Sequence, residues 1–308
     1  MRKEHITGLV AAPFTPMDPS GKLNLSVIPR YFDLLRSNGV NGAFICGSTG
    51  EGVSLTTRER MLVAEAWAAA AKGTPDFKIM TLLGGTSLAE CTDLALHAQG
   101  LGFYGVSFTA PYYFKPTDVQ ALADSCAAIA EAVPDTRFYY YHIPVLTGVY
   151  FSMLPLLKAI DGNLPNFAGI KYTHEDFMDY LSCMHFQDGK YDLLWGRDEN
   201  WVAALALGAK GAVGSTYNYA APLYHRMTEA FQRGDLEQAR RLQQQSIDMI
   251  RLLGKYGGIA TGKAFMKVLG LDCGAFRLPV KNMPDDQFKR FEEDVENLGF
   301  RDYCSRLP

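Results

Sequence analysis

Short apolar runs and longer amphipathic stretches alternate along the first two-thirds of the chain. The short runs fall at 8–13, 42–46, 78–83, 105–109, 137–142, 167–171, 191–195 and 211–215. Brief, apolar and flanked by turn residues, they are predicted to be buried strands. Between them, apolar residues recur at helical spacing near 27–38, 57–72, 87–101, 118–133, 153–161, 176–187, 200–208 and 221–233. Thr56 with Glu59 reads as a capping box opening the second helix. Gly39, Gly73, Gly102, Gly162 and Gly189 each fall just past a helical stretch, where a C-cap calls for positive φ.

Eight such repeats, each of about 25 residues, predict an α/β chain folded as a (β/α)8 TIM barrel. An open doubly wound sheet is the alternative, but it needs a glycine-rich phosphate turn after its first strand. Here that turn reads Pro13-Phe14-Thr15-Pro16. The barrel is assigned to residues 1–235. Residues 236–308 read as a C-terminal helical extension of three helices, beginning with a long amphipathic run at 236–253. No Pro/Ser-rich linker separates the two, so the extension is expected to pack as part of the same domain.

In a barrel of this kind the chemistry gathers at the carboxyl ends of the strands. The sixth strand ends there on Phe167-Ala168-Gly169-Ile170-Lys171, followed by Tyr172 and Thr173. Burial disfavours an ammonium, and a neutral lysine amine is the usual Schiff-base former with ketones. The fifth strand carries Tyr139-Tyr140-Tyr141-His142. Side chains alternate along a strand, so Tyr139 and Tyr141 share one face, and Phe167, Gly169, Lys171 and Thr173 another. If both faces point inward, Tyr141 and Lys171 are neighbours, Gly169 leaves room beneath the amine, and a phenol stands ready for proton transfer.

Three loops add candidates. Gly47-Ser48-Thr49-Gly50-Glu51, after the second strand, reads either as a plain turn or as a carboxylate cradle of hydroxyls and backbone N–H groups. Gly196-Arg197-Asp198-Glu199, after the seventh, reads as a helix start or as a set of acceptors for a polyol. Gly214-Ser215-Thr216 supplies further hydroxyls after the eighth. Lys263, in the extension, lies on a helical stretch that could approach the barrel mouth.

Composition narrows the partners. With 48% apolar and 20% charged residues and a net charge of −3, the chain gives no reason to expect nucleic acid or an anionic membrane as partner. No apolar stretch approaches the roughly 20 residues that span a bilayer. The start, Met1-Arg2-Lys3-Glu4-His5, has no signal-peptide core. Six cysteines, at 46, 91, 126, 183, 273 and 304, form no CxxC pair, which suits a reducing cytoplasm and argues against a zinc site. Cys46 is expected to be a buried structural thiol.

Taken together and in order, five motifs resemble the dihydrodipicolinate synthase/N-acetylneuraminate lyase superfamily over nearly the whole chain. They are Gly47–Glu51, Tyr141-His142-Ile143-Pro144, Gly169–Thr173, Gly196–Glu199 and Gly214-Ser215-Thr216-Tyr217-Asn218. The resemblance implies Lys171 as Schiff-base former and Tyr141 as proton-transfer group. It implies Ser48 and Thr49 on the substrate carboxylate, with Thr173 nearby, and Gly196, Asp198, Glu199 and Ser215 on a polyhydroxylated tail. Tyr113 matches a tyrosine placed near a subunit interface, and a homotetramer is implied. Dihydrodipicolinate synthases carry an arginine two residues after the proline, where this chain has Leu146, and generally lack the Asp-Glu pair. Both differences favour the lyase branch and a sugar-acid substrate.

The resemblance therefore implies a class I lyase, needing no cofactor or metal, that splits N-acetylneuraminate reversibly into N-acetylmannosamine and pyruvate. An aldolase or dehydratase for another 2-keto-3-deoxy sugar acid is the alternative within the family. A non-catalytic barrel that binds a small acid is the alternative outside it. The stretch 256–259 is left without a role.

Overall fold

The computed structural model describes residues 4–308; Met1 to Lys3, part of the stretch read above for a signal peptide, lie outside the described residues. Eight strands run β1 (Gly8–Ala11), β2 (Gly42–Ile45), β3 (Lys78–Leu82), β4 (Gly105–Thr109), β5 (Arg137–His142), β6 (Phe167–Tyr172), β7 (Asp192–Trp195) and β8 (Gly211–Gly214). They pair in parallel in chain order, and β8 closes on β1 through the register Gly8↔Gly211 to Ala11↔Gly214. Closure leaves no sheet edge, which disposes of the open doubly wound alternative.

The outer helices are α1 (Ile28–Ser37), α2 (Thr57–Ala70), α3 (Leu88–Gly100), α4 (Val119–Ala130), the single turn α5 (Pro144–Thr147), α6 (Met153–Ile160), α7 (Phe177–His185), α8 (Trp201–Ala206) and α9 (Tyr217–Gln232). Thr56 and Glu59 form the expected reciprocal capping box on α2, and all five C-cap glycines hold positive φ. α9 starts earlier than the periodicity predicts. Its first turn ends in a kink at Ala220 (φ −139°), and Pro222 lies beyond that break, where its missing N–H costs little.

Alternation along the strands produces two apolar layers. Val10, Phe44, Met80, Tyr139, Tyr141, Leu194 and Val213 fill the barrel lumen, while Phe138, Tyr140, Ile170, Tyr172 and Trp195 face the helices. The strict alternation expected in β6 fails at its start. The register jumps from Phe138↔Phe167 to Tyr139↔Gly169, so Phe167 packs with the outer layer and Ala168 with the lumen. One extra residue in a strand shifts every side chain before it to the other face. The expectation for Gly169 also needs correcting. A Cβ there would stand 1.9 Å from the Asp192 carbonyl oxygen, so this glycine admits the β7 backbone rather than leaving room beneath an amine.

The extension comprises α10 (Leu236–Lys255), α11 (Thr261–Val268) and α12 (Asp285–Asn297). Leu242, Met249, Phe265 and Phe291 belong to the outer apolar layer, and Phe265 stacks on Tyr219 of α9 with ring centroids 4.6 Å apart. Among the described residues no helix is long and apolar enough to cross a membrane. All six cysteines are unpaired, and Cys46 is buried, as expected.

Candidate active site

Lys171 lies one residue before the end of β6, opposite Tyr141 of β5 in the ladder. Its side chain is inside the barrel: Nζ stands 4.0 Å from the centre of the Phe44 ring and 4.1 Å from that of Tyr141. Burial brings its pKa down to about 7, against the opposing pull of the Asp198 carboxylate. About half of so dry a lysine is free amine near neutrality, the form that nucleophilic attack on a carbonyl requires.

Tyr141 is equally enclosed. Burial pushes its pKa up to about 12, the nearby hydroxyls of Ser48 and Thr173 favour its ionised form, and Asp198 opposes them. The phenol therefore remains protonated at neutral pH, with two hydroxyl partners beside it. Thr173 continues the β6 ladder by donating its N–H to the His142 carbonyl, 2.8 Å. Its Oγ1 is buried without a hydrogen bond of regular geometry. Gly196 is what lets that hydroxyl sit there, since a Cβ at 196 would come within 1.9 Å of it.

Asp198 enters from the loop after β7 and is buried. Its Oδ2 accepts from the Thr216 N–H at 3.0 Å and the Thr216 hydroxyl at 2.6 Å, whereas Oδ1 is buried without a hydrogen bond of regular geometry. Burial raises its pKa to about 6, the Thr216 bonds working the other way. Gly214 makes the space: a Cβ there would lie 1.9 Å from Oδ1. Glu199 behaves differently. Its carboxylate is about one-third exposed and pairs with Arg197 at 3.0 Å, and Arg197 also reaches Glu175 at 2.8 Å.

The strand ends thus bring together Lys171, Tyr141, Ser48, Thr173, Gly196 and Asp198. Thr49 is buried in the same loop as Ser48, and Ser215 is half-buried beyond β8. Tyr113, 78% exposed, sits edge-on to Phe114, which is also exposed. The stretch 256–259 forms a turn with positive φ at Gly257 and Gly258.

Two further residues hold the site together, Thr216 of the expected hydroxyl pair and Gln243, which sequence reasoning missed. Thr216, rather than its neighbour Ser215, bonds Asp198. Gln243 of α10 donates to the Asp198 carbonyl at 3.2 Å and accepts from the Val202 N–H at 2.9 Å. A signal for Gln243 was present: it falls on the same face as Ala239, Leu242, Met249 and Leu252 of an otherwise regular amphipathic helix.

The chain is similar to known proteins over nearly its whole length. The sequence model of the Dihydrodipicolinate synthetase family matches residues 5–298. An N-acetylneuraminate lyase of Gallus gallus is 38% identical over 97% of this chain and 98% of its own. The structure of a Proteus mirabilis N-acetylneuraminate lyase, 37% identical, superposes with a TM-score of 0.93 over 96% of this chain and 100% of the other. That of a sialic acid aldolase from Aliivibrio salmonicida, also 37% identical, gives 0.93 over 97% and 98%.

Proposed function

The chain belongs to the Dihydrodipicolinate synthetase family, and from that premise we propose that it is a class I lyase cleaving N-acetylneuraminate reversibly into N-acetylmannosamine and pyruvate. The observation that carries the reading is the lumenal Lys171 amine, brought to a pKa of about 7 by burial, against the Tyr141 ring. The lyase relatives, similar over nearly their full length, supply the substrate.

In this proposal Lys171 Nζ attacks the C2 ketone of the open-chain sugar acid, and loss of water leaves an iminium. Ser48 and Thr49 receive the substrate carboxylate, with Thr173 beside them. The iminium draws the C3–C4 bonding electrons to itself as the C4 hydroxyl becomes an aldehyde. Tyr141 relays the proton leaving that hydroxyl, accepting it as its own passes on; the enamine takes up one proton at C3, so the count balances. Water then hydrolyses the imine and releases pyruvate. Gly196, Asp198, Glu199 and Ser215 are assigned to the hydroxylated tail, Asp198 from inside the site and Glu199 from its rim.

A homotetramer is proposed from the family resemblance, with the exposed Tyr113–Phe114 ring pair as its candidate contact. Six unpaired cysteines support a cytoplasmic location. The experiment that tests the activity is pyruvate release from a panel of 2-keto-3-deoxy sugar acids. N-acetylneuraminate is expected to give the highest kcat/KM. Release from a different acid alone would overturn the substrate, and release from none would overturn the catalysis.

A further inference from the structure

Glu51 and Lys263 form a buried ion pair that the mechanism above does not use. Lys263 Nζ lies 2.8 Å from Glu51 Oε1, and the two side chains are 4% and 3% exposed. The partners stand 212 residues apart in sequence: one ends the loop that carries Ser48 and Thr49, the other sits on α11 of the extension. Both are fastened further. Lys263 Nζ also donates to the Ala275 carbonyl at 2.9 Å, and Glu51 Oε2 accepts from the Arg277 N–H at 2.8 Å.

The loop that Glu51 ends is wound tightly. Cys46 and Glu51 both hold left-handed backbone, φ 54° and 56°, a region where residues bearing a Cβ persist only when their surroundings hold them. A Cβ on Gly52 would come within 1.8 Å of the Cys46 carbonyl oxygen. Thr15 Oγ1 donates to the Gly50 carbonyl at 2.5 Å. Ser48 and Thr49 therefore hang on a strained turn whose far end is anchored at one carboxylate.

We propose that the Glu51–Lys263 pair is a positioning device: the helical extension sets, through it, where the carboxylate-binding hydroxyls of Ser48 and Thr49 stand. An apolar pair would fill the same space without the cost of stripping water from two charges. What the ion pair adds is direction, because its charge-assisted hydrogen bonds fix the carboxylate oxygens against two donors at once. Burial lowers the Lys263 pKa and Glu51 opposes it, so the charged pair is held by its own partnership. Neither residue touches substrate; both act through the loop.

The inference rests on Ser48 and Thr49 being the carboxylate cradle, and the test separates the two ideas. The readout is the ketone concentration that gives half-maximal borohydride trapping on Lys171, measured for pyruvate and for uncharged pyruvamide. Wild-type protein should favour pyruvate; equal behaviour towards both would overturn the cradle and this inference with it. In Glu51→Gln, one carboxylate oxygen that accepts becomes an amide nitrogen that cannot. The half-saturating pyruvate concentration should rise about tenfold to a hundredfold, the scale of a small misplacement in a site, while that of pyruvamide stays within about twofold. Equal shifts for both ketones, or no shift, in a folded variant would overturn the positioning role and leave the cradle standing. If Glu51→Gln does not fold, the double variant Glu51→Gln/Lys263→Met, which buries no lone charge, is read in its place. Failure of both to fold would make the pair a fold-holding contact alone, against the proposal.

Discussion

An exposed lysine, pKa 10.5, is neutral in roughly one molecule in three thousand at pH 7; with the pKa of about 7 that burial gives Lys171, about half the amine is free. Its folded-state pKa lies below the ordinary value, so protons leave as pH rises through about 7 and nucleophilic amine accumulates. Pyruvate trapping on Lys171, corrected for the reductant's own pH dependence, should climb to about pH 7 and level off above it. A rate still climbing at about pH 9 would mean the amine is solvated. Tyr141→Phe should lower turnover by roughly 10²–10⁴ and leave that trapping largely intact, as steady-state kinetics beside adduct yield would show. Near-normal turnover would assign proton transfer to another group. Both residues were legible in the sequence because a lysine and a tyrosine ending apolar strands are chemically conspicuous. Thr216 was less so: with two adjacent hydroxyls after Gly214, only the fold decides which one reaches Asp198.

Single elements carry the next layer of information, and here sequence reading was uneven. Strand existence followed from short apolar runs, and β4 and β5 were placed to the residue. The irregularity between Phe138 and Tyr139 was invisible, since a bulge leaves the apolar pattern of β6 unchanged while moving Phe167 to the other face. Glycines in β6 and β8 show the same limit. Their sequence says only that a Cβ is missing; the structure says that Gly169 admits a backbone and Gly214 a carboxylate. Gly214→Ala should therefore force Asp198 out of place, costing about 1–3 kcal/mol of stability by overpacking and most of the lyase turnover. Gly100→Ala, at an open helical position, should be neutral or slightly stabilising. Thermal melts and kcat/KM for the two variants check this, and a harmless Gly214→Ala would mean the carboxylate is free to move.

Across the whole molecule, eight repeats on one chain made the barrel readable, because only closure satisfies eight buried parallel strands in order. The role of the extension was not readable, since its contacts join residues far apart in sequence: Gln243 to Asp198, Lys263 to Glu51. With these contacts and a shared apolar layer, we propose that residues 236–308 and the barrel unfold as one unit. Calorimetry should show a single transition whose van't Hoff and calorimetric enthalpies agree; two resolved transitions would separate them. The central claim, that this barrel cleaves a sialic acid through an imine on one buried lysine, has a more direct test. Protein incubated with N-acetylneuraminate and borohydride is digested and mapped by mass spectrometry. The account predicts inactivation with a reduced adduct on Lys171 alone, and N-acetylmannosamine released when borohydride is omitted. Pyruvate release with no adduct, or with the adduct on another lysine such as Lys263, would contradict it.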